Sequence, residues 1–385
     1  MTMPDRSQSR TGAGQGDLRS RLDRLTLSRK EGFQRFAEGP ARPRPEQLAR
    51  SQIKSLSEAD LTEYNRSRRG WHANLGPLWT PQMKALHEDL WDIFDSNDQD
   101  CDKVKGGIAL DAFPGLGKTT AVLSFARKLH RRAIREEGEL TDAGQERWPV
   151  CRVGLTANTG MRDFNRAILE YYEHPGRFRG TAADFGYRAL DSILTAETRL
   201  LIVDDLHFLR WRHQAGIEVS NHFKYIANEF PVTLLLIGVG LEERGVFSEG
   251  SDYRAAILAQ TGRRTTRLDM APFTVNSAQG RLDWRNTLLA VEERIVLADK
   301  YVGMLADDLS DYLFARSSGH IGSLMTLINR GCQRAVRTGV ERLDTALLDN
   351  VKNDAAAERA REELQQALAS GRLVSRPQGA AAWGN

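Results

Sequence analysis

The chain has 385 residues, 41% of them hydrophobic and 27% charged, and a net charge of only +3. This composition excludes wholesale disorder, and the length fits one large α/β domain with a subdomain and tails. A charge so close to balance does not indicate nucleic-acid binding, so any such surface must be a local patch. The longest apolar stretch, residues 232–241, is far shorter than the ~20 residues that span a bilayer, so we expect no membrane segment.

The N-terminus and the cysteines predict a cytoplasmic location. The first ten residues contain no apolar run of the kind found in secretory signals. Cys101, Cys151 and Cys332 are widely spaced and fit neither a disulfide framework nor a zinc cluster. We therefore interpret them as buried or idle thiols in a reducing compartment.

Residues 1–55 are predicted to form a basic, largely flexible arm. Residues 1–50 carry eleven Lys and Arg against six Asp and Glu. Residues 31–37 can form a turn or two of helix, but GPARPRPEQ at 39–47 cannot continue one because each proline removes a backbone donor. A solvated tail without a role is the alternative interpretation.

From residue 56 the pattern is that of strands alternating with helices, which predicts a parallel sheet sandwiched by helices. Thr80-Pro81 is typical of a helix start. After residue 273 the strand signals stop, so we predict an α/β nucleotide-binding core at 56–273, a helical lid subdomain at 274–352, and a C-terminal helix with a disordered tail at 353–385. The predicted strands are 107–113, 150–156, 200–204, 232–237 and 265–270. The predicted helices are 81–94, 118–135, 160–172, 182–196, 217–229, 253–260, 284–297, 305–315, 321–338, 343–351 and 354–369.

The strongest motif is AFPGLGKTT at 112–120, which matches the P-loop pattern G-x-x-x-x-G-K-[ST] except that Ala112 replaces the first Gly. A strand precedes it and a helix follows, as a P-loop requires. The glycines allow the backbone N–H groups to turn toward phosphate oxygens, and the helix N-terminus adds partial positive charge. Lys118 supplies a point charge for the β- and γ-phosphates, and Thr119 is placed to ligate Mg²⁺. The predicted ATP and Mg²⁺ site comprises Pro114, Gly115, Leu116, Gly117, Lys118, Thr119, Thr120 and Asp204.

The second motif is RLLIVDD at 199–205, an apolar strand that ends in two carboxylates. In P-loop proteins the first carboxylate at the end of such a strand holds Mg²⁺, and the next orients the attacking water. We assign Asp204 to the metal and Asp205 to the water. Asp205 is one methylene shorter than the Glu that is commoner at this position, so hydrolysis is expected to be slow. Neither motif distinguishes adenine from guanine.

Arg263 and Arg264 are a predicted catalytic pair, on a loop that precedes the last strand. A guanidinium there could reach the γ-phosphate bound by a neighbouring subunit, and a solvated basic turn is the equally weighted alternative. None of the eight histidines, His72 among them, shows metal-ligand spacing. His207 could relay between nucleotide and partner, although a structural role is commoner at a strand–loop junction.

Basic residues that could contact a nucleic-acid backbone occur in two places. One is Arg162, near the loop after the second strand, and the other is Arg177 and Arg179, which flank Phe178 in HPGRFRG. Basic and aromatic side chains together suit phosphate contact with stacking. A charged surface loop is the commoner explanation of either cluster alone.

Over residues 65–345 the sequence resembles the TniB/TnsC family of AAA+ ATPases from DNA transposition systems, with MuB as a more distant functional relative. The resemblance is carried by the P-loop together with WTP at 79–81, IVDDLH at 202–207, NHFKYIAN at 221–228, PVTLLLIG at 231–238 and SGHIG at 318–322. It implies an AAA+ P-loop NTPase that binds ATP, forms head-to-tail oligomers on double-stranded DNA without sequence preference, and recruits or activates a transposase. ATP hydrolysis then limits or dismantles the assembly, and a target-selection adaptor is a further implied partner.

The sequence departs from this pattern at Ala112, at Asp205 and at Gly322, where initiator-type relatives often have a sensor Arg. These departures weigh against efficient hydrolysis more than against ATP binding. The alternative is a P-loop ATPase switch of a bacterial defence or signalling system that docks protein partners without binding DNA. An initiator or helicase loader is less favoured, because no winged-helix pattern follows the lid within the sequence.

Overall fold

The computed structural model describes residues 25–100, 103–156, 159–206, 223, 225–241 and 264–377. The chain divides into two compact units. The first unit comprises 1–40, 97–109 and 125–266, and the second comprises 41–96, 110–124 and 267–385. The four-part division expected from the sequence stays a prediction.

The strands form one five-stranded sheet in the order β2-β3-β4-β1-β5. Val150 of β2 pairs in parallel with Leu200 of β3, which pairs in parallel with Thr233 of β4. Every residue of β1, β3 and β4 is buried. Strands covered on both faces need continuous apolar runs, which is why the sequence reads LLIVD and TLLLIG here. The strands are β1 (Gly107–Asp111), β2 (Val150–Gly154), β3 (Leu200–Asp204), β4 (Thr233–Gly238) and β5 (Thr265–Asp269).

Helices account for most of the rest of the described chain. The α-helices are α1 (Lys30–Glu38), α2 (Arg50–Ser55), α3 (Glu58–His72), α4 (Pro81–Ser96), α5 (Lys118–Glu137), α6 (Met161–Tyr171), α7 (Ala182–Thr195), α8 (Ala278–Arg294), α9 (Ser310–Ser317), α10 (Ile321–Thr338), α11 (Thr345–Asp349) and α12 (Ala355–Ala369). A 3₁₀ turn spans Pro175–Phe178, and a π-helical turn spans Met304–Asp308. None of the described helices is long and apolar enough to cross a bilayer.

Residues 25–55, the described part of the arm predicted to be largely flexible, contain the helices α1 and α2. Helix α1 packs in the first unit, where Phe33 is fully buried. Arg127 and Arg131 of α5 donate to the Ala37 and Gly39 carbonyls at the end of α1. Cations at a helix C-terminus satisfy carbonyls that have no partner within the helix. This docking was not predicted because its partners lie about 90 positions further along the chain.

The second unit is built around Trp284 of α8, which is fully buried. Phe273 and Phe314 pack edge-on against it, with ring centroids 5.5 and 5.4 Å away. Aromatic pairs prefer such edge-to-face contacts because the electron-rich face of one ring attracts the positive edge of the other. Apolar side chains of α8, α9 and α10 complete this core.

A buried ion pair fixes α3 within the same unit. Both terminal nitrogens of Arg68 donate to the Glu341 carboxylate, at 2.6 and 2.9 Å, and both side chains are almost fully buried. Glu341 also accepts from the Ala298 backbone N–H at 3.1 Å. A buried carboxylate needs several donors of this kind to offset the loss of water. The pair therefore fixes the end of α3, one turn away, where His72 lies.

Several element boundaries differ from the predicted ones for local reasons. Helix α8 begins before the predicted residue 284 because Ser277 caps it, accepting from the Gly280 N–H at 3.0 Å. The predicted helix at 305–315 is divided, because buried Glu292 accepts from the Gly303 and Leu305 N–H groups and holds the π-helical turn. The predicted helix at 253–260 lies outside the described residues, as does most of the first half of the one at 217–229.

The cysteines within the described residues are buried. Cys151 and Cys332 are free thiols, as expected. Burial raises the pKa of both thiols well above the ordinary value, so they stay protonated and unreactive. Cys101 lies outside the described residues.

Candidate nucleotide site

The P-loop has the backbone geometry that its glycines predict. Gly115 and Gly117 adopt φ values of 81° and 86°, in the left-handed region that side chains disfavour. Lys118 begins α5, and its ammonium donates to the carbonyls of Ala112 and Phe113. The lysine side chain is therefore folded back along the loop, and the loop leads directly into the N-terminus of α5.

The lid helix α10 begins directly against this loop. The Gly322 N–H donates to the Gly115 carbonyl at 2.8 Å. A Cβ at residue 322 would lie 2.8 Å from the same oxygen and 3.1 Å from the Gly115 Cα, which is closer than side chains tolerate. Ile321 would similarly crowd a Cβ at Gly117, at 3.3 Å. Close backbone approach explains why glycine occupies position 322 in place of a sensor Arg.

A cavity of about 210 Å³ lies beside the P-loop, within the second unit. Leu116, Gly117 and Thr120 of the loop line one side, and Ile321, Met325 and Asn329 of α10 line another. The connection between α3 and α4, residues 72–80, supplies further walls. Its lining is mostly apolar, and a dry cavity of about 150 Å³ already accommodates a benzene ring. The space therefore suits a flat aromatic base, and the P-loop residues in its wall lie where attached phosphates would be.

His72, the last residue of α3, is the most buried polar side chain of the cavity lining. The ring is 1% exposed, and its Nε2 accepts a hydrogen bond from the Val296 N–H at 3.0 Å. Burial, followed by the nearby positive charge of Arg68, lowers the pKa of His72 to about 3. The imidazole is therefore neutral at physiological pH. Sequence reasoning missed this residue, because no motif surrounds it.

Asp204 and Asp205, the two carboxylates assigned from the sequence, both lie in the first unit but differ in burial. Asp204 is 5% exposed, and its Oδ2 accepts from Arg152 of β2 at 2.7 Å. Its Oδ1 accepts from the Asp205 N–H at 3.0 Å. Asp205 is exposed and adopts φ 62°, a left-handed conformation that aspartate tolerates better than most residues. The buried carboxylate is thus fixed in position, and the exposed one is accessible to solvent.

Arg264 of the predicted arginine pair is exposed and donates to the Asn228 side-chain oxygen at 2.7 Å. Its backbone carbonyl accepts from the Gly107 N–H, which holds the loop at the start of β1. Arg263 and His207 lie outside the described residues. No cluster of three or more metal-ligating side chains occurs in the part of the chain that the structure describes.

The predicted nucleic-acid residues form one surface on the first unit rather than two places. Arg162 of α6 donates to the Gly180 carbonyl at 3.3 Å, which brings it next to Arg179. The Arg177 guanidinium lies 4.5 Å from the centroid of Phe178, a ring that is 74% exposed. Arg188 of α7, which sequence reasoning did not single out, donates to the Gly176 and Arg179 carbonyls and fixes this loop. We call these residues the basic loop surface.

Comparisons with known proteins agree with this architecture. Residues 101–247 match a protein-family profile described as an AAA domain. The chain also superposes on the Aeropyrum pernix ORC1 protein, solved in complex with DNA, with a TM-score of 0.52 at 16% identity over 79% of this chain and 71% of that one. This is an AAA+ P-loop fold. The predicted fold class is confirmed.

Two further solved structures are similar to this chain, with lower TM-scores. Cdc6p from Pyrobaculum aerophilum gives a TM-score of 0.48 at 13% identity, over 68% of this chain and 64% of that one. Drosophila ORC bound to DNA gives 0.47 at 16% identity, over 90% of this chain and 74% of that one. No curated protein sequence matches the chain. Assignment to the TniB/TnsC family stays a prediction.

Replacing Arg152 by Met should destabilise the protein, because Asp204 would remain buried and charged without its cationic partner. We expect a loss of roughly 3 kcal/mol in the free energy of unfolding, measured by urea denaturation. Arg166→Met is the matched control, since Arg166 pairs on the exposed face of α6 and should cost less than about 1 kcal/mol. Equal losses in the two variants would contradict the proposed importance of the buried pair.

His72 should make the protein sensitive to acid. Since its pKa is lowered to about 3 in the folded state, the unfolded chain takes up the proton first as the pH falls below the ordinary value. Stability present above pH ~6.5 should then decline by up to about 1.4 kcal/mol per pH unit. His72→Gln, which can still accept from Val296, should flatten the urea-denaturation profile between pH 6.5 and 4. Parallel profiles for the variant and the wild type would show that His72 does not cause the acid sensitivity.

Proposed function

We propose that the protein is an ATP-dependent, DNA-binding regulator that assembles on duplex DNA and recruits or activates a transposase. The observation that carries the proposal is the P-loop, with its left-handed glycines, leading into α5 beside an apolar cavity. This combination suits a nucleotide whose base is buried and whose phosphates meet backbone N–H groups. The transposition role, with its transposase and adaptor partners, rests on the sequence resemblance to the TniB/TnsC family.

Each P-loop residue has a role that its position supports. Lys118 neutralises charge on the β- and γ-phosphates by leaving its carbonyl partners, and Thr119, exposed at the start of α5, offers its hydroxyl to Mg²⁺. Bound with the nucleotide, Mg²⁺ supplies neutralisation of the charge that develops on the transferred phosphoryl group. Asp204 would contribute to holding that ion, and release from Arg152 would free one of its oxygens. The P-loop residues by themselves offer the cation and the hydroxyl that a nucleotide phosphate with Mg²⁺ requires.

Asp205 is the proposed residue that orients the attacking water. Its carboxylate is exposed to solvent, where it can meet the attacking water, whereas Asp204 is buried and accepts from Arg152 and from the Asp205 N–H. The shorter reach of aspartate than of glutamate favours slow hydrolysis. An arginine from a neighbouring subunit, Arg263 or Arg264, would add the missing charge stabilisation across a head-to-tail contact. Turnover would then depend on assembly.

The basic loop surface is the proposed DNA contact. Guanidinium groups contact phosphates irrespective of sequence, and the exposed Phe178 ring adds an apolar contact to sugars or bases. The Aeropyrum pernix ORC1 protein, which shares the AAA+ fold, was solved in complex with DNA, and this supports DNA as a ligand of the present chain. Such binding is nonspecific in sequence and sensitive to salt.

Assembly is the sharpest test of the proposal. Sedimentation with duplex DNA should show large complexes with ATP or a slowly hydrolysed analogue, and not with ADP or without nucleotide. Lys118→Ala should abolish the ATP-dependent complexes because the γ-phosphate loses its cation. Lys84→Ala, an exposed lysine on α4, serves as the matched control and should assemble normally. A nucleotide-bound species indifferent to DNA would instead favour the partner-docking switch.

Asp205→Asn separates binding from hydrolysis in the same experiment. It should bind Mg·ATP and accumulate DNA-bound assemblies, because only water activation is lost. Release of nucleotide by this variant would mean that the roles of Asp204 and Asp205 are exchanged.

Removing arginines from the basic loop surface should weaken DNA binding uniformly across sequences. We expect Arg177→Ala with Arg179→Ala to lower the slope of log affinity against log salt by about 1 for each phosphate that is no longer neutralised. Fluorescence anisotropy on two unrelated duplexes at several salt concentrations measures this. Arg359→Ala, an exposed arginine on α12, should leave the slope unchanged. An unchanged slope in the double variant would remove this surface from the proposal.

A further inference from the structure

Helix α10 of the second unit carries arginines along one face and contains no acidic residue. Arg330, Arg334 and Arg337 follow one another at the spacing i, i+4 and i+7, and the helix sequence has no Asp or Glu. This spacing places the three side chains on the same side of a helix. The opposite side of α10 packs in the core of the unit. We call these three residues the lid arginine row.

The row is accessible, and most of its hydrogen-bond donors are not used within the protein. Arg330 and Arg337 are exposed, and Arg334 is half-buried. Arg330 donates to the Lys352 carbonyl at 2.7 Å, and Arg334 donates to the Asn350 carbonyl at 3.4 Å. In the described part of the chain, none of the three forms an ion pair with a carboxylate. Because a guanidinium has five N–H donors, each of them keeps donors for an external acceptor.

So much uncompensated positive charge is unfavourable for an isolated helix. Like charges three and four residues apart repel each other, and the helix dipole favours cations only in the last turn, whereas Arg330 lies about two turns before the end of α10. Two further exposed cations lie nearby. Gln333 of α10 donates to the Arg69 carbonyl at 2.9 Å, which places the end of α3 beside the row, and Lys352 is held by Arg330. An anionic partner would remove this repulsion.

The surroundings of the row favour a nucleic-acid backbone over an acidic protein as that partner. Among the described residues, no exposed large hydrophobic side chain lies on α10. Protein interfaces place aromatic and apolar side chains at their centre, whereas protein–DNA interfaces are polar and positively charged. At about 1.5 Å per residue the row is about 10 Å long, a length over which one strand of duplex DNA presents about three phosphates.

We propose that the lid arginine row is a second contact for duplex DNA, in addition to the basic loop surface of the first unit. The inference rests on the proposed DNA-binding function. The row neutralises phosphates and reads no bases, so its contribution is independent of sequence and decreases with salt. Gly322 at the start of the same helix contacts the P-loop, so DNA and nucleotide both bear on α10.

The test is the salt dependence of DNA binding by the full chain, measured by fluorescence anisotropy on a short duplex with a slowly hydrolysed ATP analogue. Arg334→Gln with Arg337→Gln should lower the slope of log affinity against log salt by about 2, one for each lost phosphate contact. Arg285→Gln with Arg376→Gln is the matched control. It removes the same charge from the same unit, but both arginines already pair with carboxylates, so the slope should not change.

Two further readouts separate phosphate contact from a structural role. Arg334→Lys with Arg337→Lys should keep the wild-type slope, because phosphate neutralisation needs the charge and not the planar guanidinium. In the wild-type protein, bound duplex should protect Arg337 from modification by phenylglyoxal, measured by mass spectrometry. Arg359, exposed on α12, should stay reactive.

The outcomes distinguish this inference from the proposed function. An unchanged slope in the Arg334 and Arg337 double glutamine variant, or an equal loss in the control, would overturn the second contact. If Arg177→Ala with Arg179→Ala still lowered the slope, DNA binding through the basic loop surface would stand. Absence of DNA binding by the wild type with every nucleotide would overturn both.

Discussion

The contact between the Gly322 N–H and the Gly115 carbonyl is the constraint on which the nucleotide site depends. It joins two backbones directly, at 2.8 Å, with no side chain between them. A lid helix can begin there only if residue 322 lacks a Cβ, which would lie 2.8 Å from the Gly115 carbonyl oxygen. Gly115 is needed for a different reason, since its φ of 81° lies in the left-handed region. The same contact sets the distance between α10 and the P-loop, and therefore the width of the cavity that they enclose. A substitution at Gly322 would therefore alter this width, whereas one at Gly115 would strain the backbone of the loop.

Much of the fold could be predicted from the sequence because its signals are local. The strand at 200–204 and the helix at 321–338 were predicted at the observed boundaries, since continuous apolar runs and amphipathic spacing report burial directly. The P-loop could be predicted equally well, because its glycines, lysine and threonine all lie within one short motif that forms a single loop. These patterns need no knowledge of distant parts of the chain.

What the sequence did not reveal depends on residues far apart in the chain. Arg152 and Asp204 are separated by 52 positions, and Gly115 and Gly322 by more than 200, so no spacing rule connects them. His72 is similar, because its hydrogen-bond donor is the Val296 N–H, and the ion pair that fixes its helix joins Arg68 to Glu341. The docking of α1 by the arginines of α5 was also hidden, because a basic composition alone favours a solvated arm.

The shared lining of the cavity has a thermodynamic consequence. Because the cavity wall includes residues of both the P-loop and α10, a base bound there, as proposed, would contact both, and its binding energy would depend on their separation. Linkage then requires reciprocity: whatever stabilises this position of α10 raises nucleotide affinity by the same factor by which nucleotide stabilises the position. Helix α12 packs on α9 of this unit, and Arg316 of α9 donates to Glu358 of α12 at 2.7 Å. A protein that binds α12 could thus change the occupancy of the nucleotide site without contacting the nucleotide.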